Sequence, residues 1–242
     1  MREYMDLFYT EERNEMQRLD AYLPDSEGFD TVVFFHGGGL AHGDRKSDPV
    51  MFGLKERGFG FVSVEYRMLP QAHFPDFLED AAAAIAYVQR HLTEWGGSGR
   101  LFVSGSSAGA YMTMMLCLDP QYLTKAGVEP DSVTGYLSNS AQQFAHFAVM
   151  KDRGLDGRLE HIDETAPISL VREGMTIRPL CMLYYSEDMV CRPEENRLMY
   201  ASMKRFLPED SLPELHEIAG KHCKPNDPEQ FLNLCERFLR SV

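Results

Sequence analysis

Paired cysteines are missing from this chain: Cys117, Cys181, Cys191, Cys223 and Cys235 are odd in number, scattered, and form no C-x-x-C. A disulfide framework or zinc knuckle is thereby excluded, and reduced thiols of a cytoplasmic protein are expected. H-E-x-x-H and other clusters at metal-ligand spacing are lacking too, so no metal is expected. Positive charge is scarce, with 24 Lys and Arg against 37 Asp and Glu for a formal charge of −13. Nucleic acid and anionic membrane need a basic footprint, so neither is an expected partner. A neutral small molecule is untouched by that argument, and oligomeric state is left open. No run approaches the ~20 apolar residues of a membrane span. The segment from Met1 to Met16 also lacks the apolar stretch of a secretory signal.

What is present is a chain of 242 residues with 44% apolar content, enough to bury a sizeable core within one domain. Short β-branched and aromatic runs predict strands at 31–35, 59–65, 101–104, 133–137, 180–185 and, more polar, 213–218. Between them, apolar residues at spacings of three and four predict helices. Phe77, Ala81, Ala84, Ile85 and Val88 mark one over 76–92, and Phe231, Leu234, Cys235 and Phe238 mark another over 228–239. Further helices are expected over 108–118 and 193–206. Strand alternating with helix implies a largely parallel sheet with helices on both faces. The stretch 141–175 fits this rhythm worst and reads as an insertion, a small cap or lid.

The chemistry concentrates in a few places. Gly105-Ser106-Ser107-Ala108-Gly109 follows a predicted strand and opens a predicted helix. In that context G-x-S-x-G describes a sharp turn that exposes Ser107 as a nucleophile, and small neighbours are needed because the backbone folds back on itself. A frame centred on Ser106 would put Ser104 and Ala108 where glycines belong. The helix N-terminus, including the Ala108 N–H, favours a developing negative charge. His36-Gly37-Gly38-Gly39 ends the first predicted strand with unshielded N–H groups, and it lacks the endings of a P-loop or a dinucleotide fingerprint. The base and acid should follow the serine in the order acid, then His. Asp188, after the fifth predicted strand, is the candidate acid, with Glu187 the alternative. His222, after Gly220, is the candidate base, because His216 lies inside a strand-like run. His36 precedes the nucleophile and reads as structural, and His42, His73, His91, His146 and His161 read as surface residues.

Together with Leu19–Pro24, Glu65–Pro70 and Phe74–Ala81, these motifs run in order from about residue 19 to 222. The chain resembles the α/β-hydrolase esterases and lipases related to hormone-sensitive lipase and to carbohydrate-ester hydrolases. The resemblance implies a carboxylic ester hydrolase with Ser107, Asp188 and His222 as its triad and no cofactor. It also implies an oxyanion hole from Gly38, Gly39 and Ala108, and structural roles for the YR-x-x-P and FP-x-x-x-x-D segments. Two departures stand out: Ser106 occupies a position that is often Asp in the hormone-sensitive-lipase branch, and the segment before Leu19 is shorter than the usual helical cap.

Phe144, Phe147 and Met150 are candidates to line the acyl or alcohol pocket, the alternative being a surface helix packed on the sheet. A short-acyl ester is the expected substrate. An arylformamidase or a peptidase would share the layout, and a non-catalytic binding protein on the same fold is the reading from another class.

Overall fold

All six predicted strands lie side by side in one sheet of the computed structural model, which describes residues 1–242. The strands are β1 (Arg2–Phe8), β2 (Arg18–Leu23), β3 (Phe29–Phe35), β4 (Gly60–Val64), β5 (Gly97–Ser106), β6 (Gly135–Asn139), β7 (Leu180–Glu187), β8 (Glu214–Lys221) and β9 (Lys224–Pro225). Their spatial order is β1-β2-β4-β3-β5-β6-β7-β8-β9. The run from β4 to β8 is parallel, while β1, β2 and β9 add antiparallel edges. The helices are α1 (Asp76–His91), α2 (Ala108–Leu118), α3 (Gln121–Lys125), α4 (Phe147–Asp152), α5 (Arg192–Phe206) and α6 (Pro228–Ser241).

The central strands are buried on both faces, and alternate residues serve different cores, as the two-residue period of a strand requires. Val33, Phe35, Val62 and Val103 pack with α1 and α2 through Phe77, Ile85, Met112 and Met115. Val32, Phe34, Phe61 and Phe102 face the other way, onto Phe231, Cys235 and Phe238 of α6 and onto Met51 and Leu54 of a 3-10 turn. Helix α2 is apolar all round because it is buried on all sides. Helix α6 shows the opposite pattern, one buried stripe with Asp227 capping its start by accepting from the Glu229 and Gln230 N–H groups. Leu234, predicted for that stripe, is half-buried at its margin, and Leu232 and Leu239 take the buried positions.

Strands β1, β2 and the two-residue β9 lie outside the predicted runs. β1 is an exposed edge with no apolar run to announce it. β2 is buried but carries a charge, Asp20, whose carboxylate meets the Arg45 guanidinium at 2.8 Å. The structural motifs fall where the resemblance implied: Tyr66 donates its hydroxyl to the His36 carbonyl at 2.8 Å, and Arg67 pairs with buried Asp80 at 2.7 Å. Stretch 141–175 contains only short α4 and a 3-10 turn at Pro167–Leu170, so its predicted irregularity is real.

Candidate active site

The parallel strands run toward one edge of the sheet, where their carboxyl ends and following loops form a crevice, the usual ligand position in an open α/β sheet. Ser107 sits between β5 and α2 at φ 56° and ψ −112°, a positive-φ backbone that few non-glycine residues adopt. Its N–H donates to the Asn139 carbonyl at 2.8 Å, and its own carbonyl accepts from Tyr111 N–H at 2.9 Å to start the helix. The flanking glycines are required by space. A Cβ on Gly105 would lie 2.3 Å from the Gly109 backbone, and one on Gly109 would lie 2.0 Å from the Phe35 carbonyl oxygen.

His222 occupies the turn of the β8–β9 hairpin, and its Nε2 lies 2.8 Å from Ser107 Oγ. Its Nδ1 lies 2.5 Å from Asp188 Oδ1. The Asp188 side chain is fully buried at the end of β7 and is well supplied with donors: Met189 N–H at 2.8 Å, Tyr185 N–H at 3.0 Å and Ser140 Oγ at 2.7 Å. Burial alone would raise its pKa, but hydrogen bonds from His222 and Ser140, the His222 charge and the Met189 N–H outweigh it and hold the carboxyl below its usual range. Glu187, one residue earlier, is exposed, and the hydrogen bond and ion pair of His222 go to Asp188 instead. The structure therefore brings Ser107, His222 and Asp188 into one hydrogen-bonded row and leaves Glu187 outside it.

The loop after β3 covers this row. Gly37 is packed so closely that a Cβ there would lie 3.2 Å from Ser107 Cβ, and one on Gly38 would meet the His42 carbonyl oxygen at 1.8 Å. The N–H groups of Gly38 and Gly39 donate to no protein acceptor and line the crevice, while Ala108 opens α2 directly behind Ser107 and is buried. Above them opens a cavity of about 820 Å³, lined by Gly37–Gly39, Ser107 and His222 on one side and by Phe147, Ala148 and Lys151 on the other.

Only one of the three candidate pocket residues lines that cavity. Phe147 does; Met150 instead points into a small separate core with Ala145 and Ala166, and half-buried Phe144 is likewise not part of the wall. The short helix α4 turns Met150 inward and presents Phe147 to the crevice, which an apolar count along the sequence cannot distinguish. His146 also corrects the sequence reading: it is buried rather than exposed, stacks on Phe147 at 4.5 Å between ring centroids, and caps α4 by accepting the Ala148 N–H. Ser140, Asp48 and Cys223 escaped sequence reasoning because they belong to no motif. Ser140 follows β6 directly, so the rule that strand carboxyl ends face the site could have found it.

Burial, aided by the Arg192 charge, pushes the His146 pKa down to about 3. A depressed histidine stabilises the fold fully above its unfolded value and loses that contribution as the pH falls toward the folded one. Going from pH 7 to 4.5 should thus remove about 2–3 kcal/mol through this group. His146→Asn, which keeps a capping acceptor without the charge, is expected to be less stable at pH 7 through lost packing but to lose less on acidification. Urea unfolding at the two pH values checks this, and an unchanged pH dependence would contradict it.

The grouping of metal-type ligands is elsewhere. Cys181, Glu214 and His216 have ligand atoms within 4.8 Å of one another, at the opposite ends of β7 and β8 from Ser107. Glu214 there is already paired with His216 at 2.7 Å and lies 3.7 Å from Arg237. No helix is long and apolar enough to cross a membrane.

Residues 19–156, more than half of the chain, match the BD-FAE family. The chain belongs to the BD-FAE family. The BD-FAE match takes in the loop of Gly38 and Gly39 and the turn at Ser107, while Asp188 and His222 lie beyond it. A probable isoprenylcysteine alpha-carbonyl methylesterase of Arabidopsis thaliana is 33% identical over 148 residues, 60% of this chain and 30% of that protein. The chain spans about a third to a half of the length of the first curated relatives it matches. Among solved structures, a truncated carbohydrate esterase from gut microbiota superposes with a TM-score of 0.78 at 15% identity, covering 99% of this chain and 97% of that one. A thermophilic esterase of the Planctomycetes species Thermogutta terrifontis gives 0.76 at 20% identity, covering 98% and 91%, and has also been solved with propionate and with butyrate bound. The fold of this BD-FAE member is that of the α/β-hydrolases.

Proposed function

We propose that the chain is a serine hydrolase of carboxylic esters, with Ser107 as nucleophile, His222 as general base and acid, and Asp188 as the group that orients the imidazole. The observation that carries this reading is the row Ser107–His222–Asp188, at 2.8 and 2.5 Å, opening beneath the unpaired N–H groups of Gly38 and Gly39. His222 Nε2 takes the proton as Ser107 Oγ bonds to the ester carbonyl carbon. Gly38, Gly39 and Ala108 N–H groups donate to the oxyanion of the tetrahedral intermediate. His222 then returns the proton to the departing alkoxide, leaving an acyl-serine. Water, deprotonated by the same imidazole, attacks that acyl group and frees the carboxylic acid and Ser107. Ionised Asp188 stabilises the imidazolium formed in both halves.

Residues 1–242 act as a single domain, and 141–175 serves as a small cap whose Phe147 and Ala148 wall the cavity. Five unpaired thiols support a reducing, cytoplasmic setting. The acidic surface favours a small-molecule partner over nucleic acid.

A short acyl chain is the expected preference. Each buried methylene is worth ~0.8 kcal/mol, and only while wall remains to contact it. Exposed Lys151, His42 and Lys224 share the cavity wall with Phe147 and Ala148, and α4, only six residues long, offers little cover to a longer chain. The propionate and butyrate held by the Thermogutta terrifontis esterase suit the same range. Activity on p-nitrophenyl esters should peak between acetate and butyrate and fall by C8 to C12. An optimum at C12 or longer would contradict this reading of the cap, and efficient formamide cleavage without ester turnover would transfer the assignment to an arylformamidase.

A further inference from the structure

Behind the nucleophile turn runs a chain of buried polar groups that acyl transfer itself leaves unused. Tyr185 donates its hydroxyl to Asn139 Oδ1 at 3.0 Å, and Asn139 Nδ2 donates to Ser106 Oγ at 3.0 Å. Ser106 in turn donates to Asp48 Oδ2 at 2.5 Å. The direction of this chain is fixed. Ser106 has one proton, and because its oxygen already accepts from the Asn139 amide, that proton goes to Asp48. The other Asp48 oxygen accepts the Met51 N–H at 3.1 Å, so the chain ends on a carboxylate that receives hydrogen bonds on both oxygens. Ser106, Asn139 and Asp48 are all buried.

Both ends of the chain are anchored. Asp48 lies on the loop that forms a wall of the cavity with Ser47, Pro49 and Val50. That loop is pinned by Arg45, whose carbonyl accepts from Ser63 Oγ at 2.5 Å and whose guanidinium meets Asp20 at 2.8 Å. At the other end, the Asn139 carbonyl accepts the N–H of Ser107 itself. Ser107 holds a left-handed φ of 56°, and a non-glycine residue keeps such a conformation only where its surroundings over-determine it.

We propose that Asp48 is a positioning residue: through Ser106 it clamps the strained turn so that Ser107 Oγ stays within reach of His222. This rests on the serine-esterase reading. Asparagine cannot replace the carboxylate. In one orientation its NH₂ opposes the Met51 N–H; in the other it opposes Ser106, whose oxygen would then have two donors and whose proton would have no acceptor. The reciprocal exchange D48S/S106D can replace it, since the hydroxyl moved onto the loop and the Asn139 amide would both donate to the carboxylate moved onto the turn.

The test compares wild type, D48N, S106A and D48S/S106D by p-nitrophenyl butyrate kinetics, by the rate of fluorophosphonate labelling at Ser107 and by Tm. Misplacing a reacting group by about 1 Å is worth on the order of 100-fold. D48N and S106A are each expected to lower kcat about 10- to 100-fold with KM within about threefold, and to slow labelling in parallel. D48S/S106D should recover most of both losses. If D48N does not fold, S106A and the exchange carry the comparison. A fall in Tm with kcat and labelling unchanged would make Asp48 merely structural and overturn the proposal, as would an exchange that restores Tm without restoring kcat. A wild-type protein that neither turns over ester nor labels would instead overturn the esterase reading beneath it.

Discussion

Ser107→Ala and His222→Ala are each expected to lower kcat by about a million-fold, and the double variant to be scarcely worse than either. The reason is that the two side chains perform one proton-coupled attack. With Oγ gone, His222 has nothing to deprotonate; with the imidazole gone, the hydroxyl at 2.8 Å has lost its base. Free energies from such a pair do not add, so a double variant whose loss equalled the product of the two single losses would argue that they act in separate steps. Residual rate above the background reaction would come from Gly38, Gly39 and Ala108 and from the cavity. Both variants should retain the wild-type Tm to within a few degrees, because Ser107 Oγ supports no core contact and His222 sits in a hairpin turn. Steady-state kinetics on p-nitrophenyl butyrate, with Tm measured alongside, checks the set.

Asp188→Asn should lower kcat by about 10,000-fold while leaving the fold intact. Asp188 is the acceptor of four donors, and an amide in its place must turn an NH₂ toward at least one of them. Facing His222, that NH₂ would favour the tautomer with its proton on Nε2, the nitrogen that must instead accept from Ser107. Glu187→Gln is the matching control. Glu187 is solvent-exposed at the end of β7, so the change should alter kcat less than about twofold, in keeping with a surface substitution away from the site. Near wild-type turnover in Asp188→Asn, with loss in Glu187→Gln, would move the acid role to Glu187.

Much of this arrangement was legible because local rules and tertiary structure agree where the parallel core lies. Thr31–Phe35 and Leu180–Tyr185 are buried on both faces, so they read as continuous apolar runs. Helix α2 begins at Ala108 and ends at Leu118, as predicted, because the Ser107 turn and Asp119 bound an unbroken apolar segment. The positions of Ser107, Asp188 and His222 could be read because chain order and strand ends constrain them. What stayed hidden depends on partners distant in sequence. β1 is exposed and β2 hides a charge, and both are held as strands by antiparallel pairing with neighbours in the sheet. Asp48 and Ser106 meet across 58 residues of chain, and Ser140 reaches Asp188 across 48, with no spacing that could announce either contact. Phe147 and Met150 are three residues apart on one short helix yet face different surroundings, which only the packing around α4 decides.

Mass spectrometry of the protein treated with a fluorophosphonate probe decides whether Ser107 is the nucleophile. A single adduct is expected, formed by displacement of fluoride by Ser107 Oγ and located by peptide mapping to the Gly105–Gly109 turn. Labelling should be lost in Ser107→Ala and retained in Ser106→Ala, though slowed. An adduct on another serine, or no adduct on wild-type protein with a normal Tm, would contradict that role for Ser107.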